Sequence, residues 1–222
     1  MIRIKRTALC LLIIFALIMT AFIGCSQRSG SDDELVFSGL VELGTGPGEY
    51  LPGTDIEVVA ISEDAAEMRI EGQTAHKKAG DSVDWHGPID PGVDLDLALR
   101  VLWLSGEVVQ TGGTAKLTIQ DADPRPATVQ SNSDIQYALP VTFTVRKGKQ
   151  IPGTLIEYMG KDAEKGAEFA GIEGYPFRKV ADSLAWEGLL RDNVWLKMDL
   201  RVILFTDTTL QVGGVATIWV DQ

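Results

Sequence analysis

Asp84 and His86, separated by one position, offer the first candidate chemistry in this chain. On an extended strand such a pair points to one face, and a carboxylate beside an imidazole is a common start to a metal-ligand set. Asp90, Asp94 and Asp96 follow closely and could add oxygen ligands, which would make a cation-binding module or a metal-dependent hydrolase. A solvated polar face carries the same residue types and stands as the alternative. His76, the other histidine, reads as a surface or turn residue.

A serine follows an aspartate in two places, Gly80-Asp81-Ser82-Val83 and Ala181-Asp182-Ser183-Leu184. These stretches resemble the Gly-Asp-Ser-Leu nucleophile motif of a family of esterases, which implies a serine served by a histidine near the end of the chain. No histidine occurs after His86, so local hydrogen bonding to backbone is the expected role and no catalytic residue is assigned. Gly44-Thr-Gly-Pro-Gly-Glu-Tyr50 is glycine-rich but leads into a strand pattern. It reads as a hairpin loop and not as a phosphate cradle, which needs a helix amino terminus. No cofactor-binding residue is assigned either.

The amino terminus carries a different kind of signal. Arg3, Lys5 and Arg6 precede a stretch from Thr7 to Gly24 without a single charge, as in an export signal. Phe22-Ile23-Gly24-Cys25 resembles the bacterial lipobox, which implies that Cys25 takes a lipid and becomes the new amino terminus. Residues 1–24 are then the signal peptide and 25–34 a polar lipidated tether. An uncleaved membrane anchor is the other reading, since the uncharged stretch approaches the ~20 residues of a span. Either reading places the remainder outside the cytoplasm, at the periplasmic or cell-surface side of a bacterial membrane.

That remainder is written twice. Leu51-Pro-Gly-Thr-Asp-Ile-Glu57 returns as Ile151-Pro-Gly-Thr-Leu-Ile-Glu157, an offset of 100. Asp81 to Gly87 returns at Asp182 to Gly188, and Gly112-Gly113 at Gly213-Gly214, now at 101. A register held so long reads as a tandem duplication, with copies at 35–121 and 136–222 and a Pro-, Ser- and Asn-containing linker at 122–135. Each copy shows period-two burial. Val93, Leu95, Leu97, Leu99 and Val101 alternate with polar or small residues, and Val194, Leu196, Met198, Leu200 and Val202 repeat the set. No helical stripe follows residue 24. The fold class is therefore all-β, and two tandem small β-barrels are expected because closure removes exposed edges. Trp85 and Trp186 fall in the buried rows, whereas Trp103, Trp195 and Trp219 have no Trp counterpart and are expected at exposed surface.

Phe37-Ser-Gly-Leu-Val-Glu-Leu-Gly44 with Pro52 to Ile61, and Gly171-Ile-Glu-Gly-Tyr-Pro-Phe-Arg-Lys179, resemble the β-barrel second domain of elongation factor Tu and related translation GTPases. The resemblance implies a six-stranded barrel as scaffold. The phosphate loop of a GTPase is missing from the chain, so that activity is excluded. Nucleic-acid binding follows only by analogy with the family. A formal charge of −11, which becomes −14 when Arg3, Lys5 and Arg6 are lost, opposes it.

The acidity is uneven. Residues 35–121 hold 15 acids and 5 bases, a balance of −10, while residues 136–222 hold 11 and 10, a balance of −1. The expected function is a non-catalytic, membrane-anchored binding or scaffolding lipoprotein. Its partners would be the bilayer, through the acylated terminus, and a protein, peptide or glycan, with cationic partners drawn to the first copy.

Overall fold

The computed structural model describes residues 34–130, 133 and 135–221. The signal segment, Cys25 and most of the tether lie outside the described residues. Within them the protein is all-β, with sixteen strands and no helix. The first half runs β1 (Glu34–Thr45), β2 (Glu57–Ile61), β3 (Ala66–Ile70), β4 (Gln73–Lys77), β5 (Ser82–Asp90), β6 (Val93–Leu104) and β7 (Val109–Gln120). A short β8 (Arg125–Pro126) precedes the second half, which runs β9 (Gln136–Arg146), β10 (Lys149–Gln150), β11 (Glu157–Asp162) and β12 (Gly166–Ala170). It continues through β13 (Phe177–Arg178), β14 (Ser183–Arg191), β15 (Val194–Phe205) and β16 (Thr209–Val220).

Every ladder is antiparallel. The first half forms the sheets β1-β7-β6-β5 and β2-β3-β4, and the second forms β8-β14-β15-β16-β9 and β10-β11-β12-β13. The alternation read from the sequence is the alternation observed: all five apolar residues from Val93 to Val101, and all five from Val194 to Val202, are buried. Full burial of each such side chain is worth roughly 1.5–3 kcal/mol, so the inward face of β6 and β15 is fixed by composition. Gly113 and Gly214 sit where β7 and β16 press on that strand. A Cβ at either would collide with the carbonyl oxygen of Ala98 or Asp199, so only glycine lets the strands approach.

Turns recur as faithfully as strands. In Leu51-Pro52-Gly53-Thr54 the Thr54 N–H donates to the Leu51 carbonyl (3.0 Å), and the Thr54 Oγ1 accepts from the Ile56 N–H (3.1 Å). In Ile151-Pro152-Gly153-Thr154 the matching distances are 3.0 and 3.0 Å. Proline presets the first central residue and glycine takes the positive φ that the second requires, 73° and 78°.

The sheets do not close into barrels, which departs from the expectation. Among the described residues β5 pairs only with β6, and β1 and β9 each pair on one side only. The edges are protected by other means. Pro88 removes a donor from β5. In the second half, part of the stretch read as a linker is strand: β8 pairs with β14 at Gly188↔Pro126 and Leu189↔Arg125, and the Asp123 N–H donates to the Leu190 carbonyl (2.7 Å). β1 and β9 cross closely, for a Cβ on Gly39 would lie 2.9 Å from the Pro140 Cδ, and Pro140 has no N–H to offer a ladder there.

The halves share one hydrophobic core and interlock reciprocally. Tyr137, from the first strand of the second half, is buried and donates its hydroxyl to the Pro52 carbonyl of the first half (2.6 Å). Phe37, its counterpart in β1, is buried against Gly153, within 3.2 Å of where a Cβ would stand. Each half thus inserts an aromatic into the Pro-Gly turn of the other. Burial holds the Tyr137 phenol well above its ordinary range. Arg191 adds a clamp from one side only: its Nη1 donates to the Gln120 carbonyl at 2.8 Å and reaches the Gly92 carbonyl at 3.4 Å.

Candidate functional site

The outward face of β5, β6, β7 and β1 is where the first half concentrates its chemistry. Because the apolar positions of these strands turn inward, the positions between them form cross-strand rows on the outside. His86, Asp96, Lys116 and Ser38 make one row by ladder register. The His86 Nδ1 lies against the Asp96 Oδ1, and the Lys116 Nζ stands 3.7 Å from the other Asp96 oxygen. Asp84, Ala98, Thr114 and Leu40 make the next row, whose small central residues form a floor.

Trp85 forms a wall. Its indole Nε1 donates to the Asp55 Oδ1 (2.8 Å), which anchors the ring to the residue after the Pro-Gly-Thr turn. The ring lies over Gly87, where a Cβ would come within 3.0 Å of it. The tight β3–β4 turn supplies a rim at Ile70 and Glu71, held open by positive φ at Glu71 and Gly72 (50° and 76°). Together these residues bound an open cleft of about 840 Å³. Across the Trp85–Asp55 wall a second cleft of about 820 Å³ is lined by Glu49, Tyr50, Pro52 and Ile89.

Asp84 and His86 share one strand face, as their spacing predicts, and that face lines the cleft. Asp96 joins them, whereas Asp90 and Asp94 do not line it. Lys116 puts an ammonium beside the carboxylate that His86 touches, so Asp96 is already paired and is a poor ligand for a metal ion. Among the described residues no group of three His, Cys, Asp or Glu is placed to hold a metal ion. His76 is exposed on β4, opposite Glu67.

The Asp-Ser pairs have a structural role in both halves. The Asp81 Oδ2 accepts from the Lys78 N–H (2.8 Å), and the Gly80 N–H and Val101 N–H close the corner onto β6 (2.8 and 3.0 Å). Asp182 repeats this with Lys179 (2.7 Å), and Ala181 and Val202 repeat the corner (2.8 and 3.0 Å). Arg100 and Arg201 donate to the carbonyls of Gly80 and Ala181. These aspartates are corner staples, and the motif is repeated because the corner is.

No family model, curated protein or solved structure matches this chain. The informative comparison is internal. At the place of His86 and Asp96 the second half has Glu187 paired with Lys197, and Leu155 stands where Asp55 anchors Trp85. Trp186 is accordingly buried, whereas Trp85, expected in the core, is only half-buried and lines the cleft. Trp103 is exposed as expected. Trp195 and Trp219 are not: they are half-buried cross-strand partners, and the Trp195 Nε1 donates to the Asp221 Oδ2 (2.9 Å). Asp55, Glu71 and Lys116 also line the cleft, and they belong to no sequence motif. The signal for Asp55 was in the repeat itself, at the point where an otherwise matched heptad changes from Leu to Asp.

Proposed function

We propose that the protein is a membrane-tethered, non-catalytic binding module whose first half receives a cationic partner segment in the Trp85–His86 cleft. The observation that carries this is the set Asp55, Glu71 and Asp84 around one cleft, beside an Asp96 already paired with His86 and Lys116. It stands in the half with the −10 balance. A lysine or arginine side chain entering there meets carboxylates and the Trp85 indole, which favour it.

A lysine-rich dodecapeptide, titrated calorimetrically against the full chain at low and high salt, tests the reading. Binding should weaken with salt and fall about three- to tenfold in an Asp55→Asn/Asp84→Asn variant, as expected for a few partly exposed charge contacts. Equal binding of a glutamate-rich peptide, or indifference to the double substitution, would sink it. Turnover of ester substrates by the purified chain would remove the non-catalytic part.

The tether rests on the lipobox-like residues ending at Cys25. Cys25→Ser should leave an unprocessed precursor that takes up no labelled lipid, and a mature amino terminus elsewhere would count against it. The repeated strand series supports descent of both halves from one β-module. The likeness of residues 37–61 and 171–179 to the translation-GTPase barrel is the proposed ancestry of that module, here with its sheets open.

A further inference from the structure

We propose that the second half carries a separate site for a saccharide bearing an acidic group, built on the loop between β12 and β13. Tyr175 is 62% exposed at the tip of this loop, and its ring packs 5.4 Å from that of Phe177 at an interplanar angle of 55°. The Lys165 ammonium lies 4.9 Å over the Phe177 ring. An exposed tyrosine on a loose loop would mean little, but this loop is fixed. Arg178 donates through Nη1 to the carbonyls of Tyr175 and Phe177 and through Nε to that of Ser183, while the Phe169 N–H donates to the Pro176 carbonyl (2.9 Å). A large aromatic ring is thereby held toward solvent.

The surrounding cleft of about 670 Å³ brings Glu164, Lys165, Lys179 and Ser183 to the same place. A pyranose presents a flat face of C–H groups, which covers an aromatic ring, and hydroxyls that need donors and acceptors side by side. This lining supplies both. Lys165, Arg178 and Lys179 stand against the carboxylates of Glu164 and Asp182, so the lining carries one positive charge in excess and is suited to an acidic sugar. The first half has nothing comparable. Its β3–β4 connection is the bare turn Glu71-Gly72, and the turn before β3, Ser62-Glu63-Asp64-Ala65, has Ala65 at the place of Lys165.

The probes are tetragalacturonate, a heparin tetrasaccharide, neutral chitotetraose and oligothymidylate, titrated calorimetrically into the full chain. At least one acidic saccharide should bind more tightly than chitotetraose. Tyr175→Ala should weaken it about three- to tenfold, the size of a lost aromatic contact. Lys165→Ala should weaken the acidic sugars more than the neutral one, and Asp55→Asn should change nothing, which separates this site from the cationic-partner cleft. Absence of binding by both acidic saccharides, insensitivity to Tyr175→Ala in a variant with unchanged circular dichroism, or equal binding of oligothymidylate would overturn the proposal.

Discussion

The two halves solve the same backbone problems with the same residues and present different surfaces to solvent. Pro-Gly-Thr turns, Asp-Ser corners and the Gly113 and Gly214 close approaches are shared almost atom for atom. On the outward rows a His–Asp–Lys series in one half faces a Glu–Lys pair in the other. The free edge is protected by Pro88 in the first half and by the added strand β8 in the second. Positions whose backbone geometry admits one residue type are the same in both halves, and positions that face solvent differ. The divergence between copies is therefore the best internal guide to function.

The largest test of that comparison uses the matched glycines Gly87 and Gly188. A Cβ at Gly188 would collide with the Arg125 carbonyl that β8 brings to β14, whereas at Gly87 it meets only the Trp85 ring at 3.0 Å. Gly188→Ala should cost about 3 kcal/mol in chemical denaturation and Gly87→Ala about 1 kcal/mol, the upper and lower parts of the range for overpacking. Equal costs would mean that β8 does not cover the edge. Next in size is the one-sided clamp. Arg191→Ala should lose about 2 kcal/mol with its charge-assisted bonds to the first half, while Asp90→Ala, at the matched position, should stay within about 0.5 kcal/mol.

Smaller effects sharpen the reciprocal lock. Tyr137→Phe should cost about 1 kcal/mol near neutral pH by removing the bond to the Pro52 carbonyl. The phenol titrates higher folded than unfolded, so its contribution is complete below the ordinary tyrosine value of about 10 and is lost as pH rises above it. Stability of the Phe variant should fall less steeply in that alkaline range.

The smallest contrast lies in the turns that enter β3 and β12. Asp162 accepts from the N–H groups of Lys165 and Glu164, which hold its carboxyl below the ordinary range, whereas Ser62 makes the matching contact with Ala65 as a neutral group. Asp162 contributes above its unfolded value, about 3.9, and that contribution disappears as pH falls through the lower folded value. Acid unfolding curves of the wild type and Asp162→Asn should differ near neutrality and converge at low pH. Ser62→Ala should shift the curve equally at all pH values.

Much of this was legible in the chain. The period-two rows in β6, β7 and their counterparts were read to the residue, because burying one face of a strand requires alternation. That Asp84 and His86 share one strand face followed from their spacing; that this face lines a cleft did not. The role of Trp85 did not, since a tryptophan in a buried row looks the same whether the opposite residue is Leu155 or an Asp55 that binds its N–H. The stretch 122–135 looked like a linker because Pro and Ser are poor strand formers. Its pairing with β14 depends on Gly188, some sixty residues away, leaving room for a second backbone.

The sequence by itself determined the alternating strands, their inward faces, the turn chemistry and the internal repeat, because each is set by neighbours within a few residues or by direct self-comparison. The tertiary structure decided that the sheets stay open, that the copies lock through Tyr137 and Phe37 into one core, and that Asp55, Trp85 and His86 bound a single cleft. Those outcomes depend on which backbone approaches which edge. That is settled by steric fit between residues distant in the chain, and no local pattern records it.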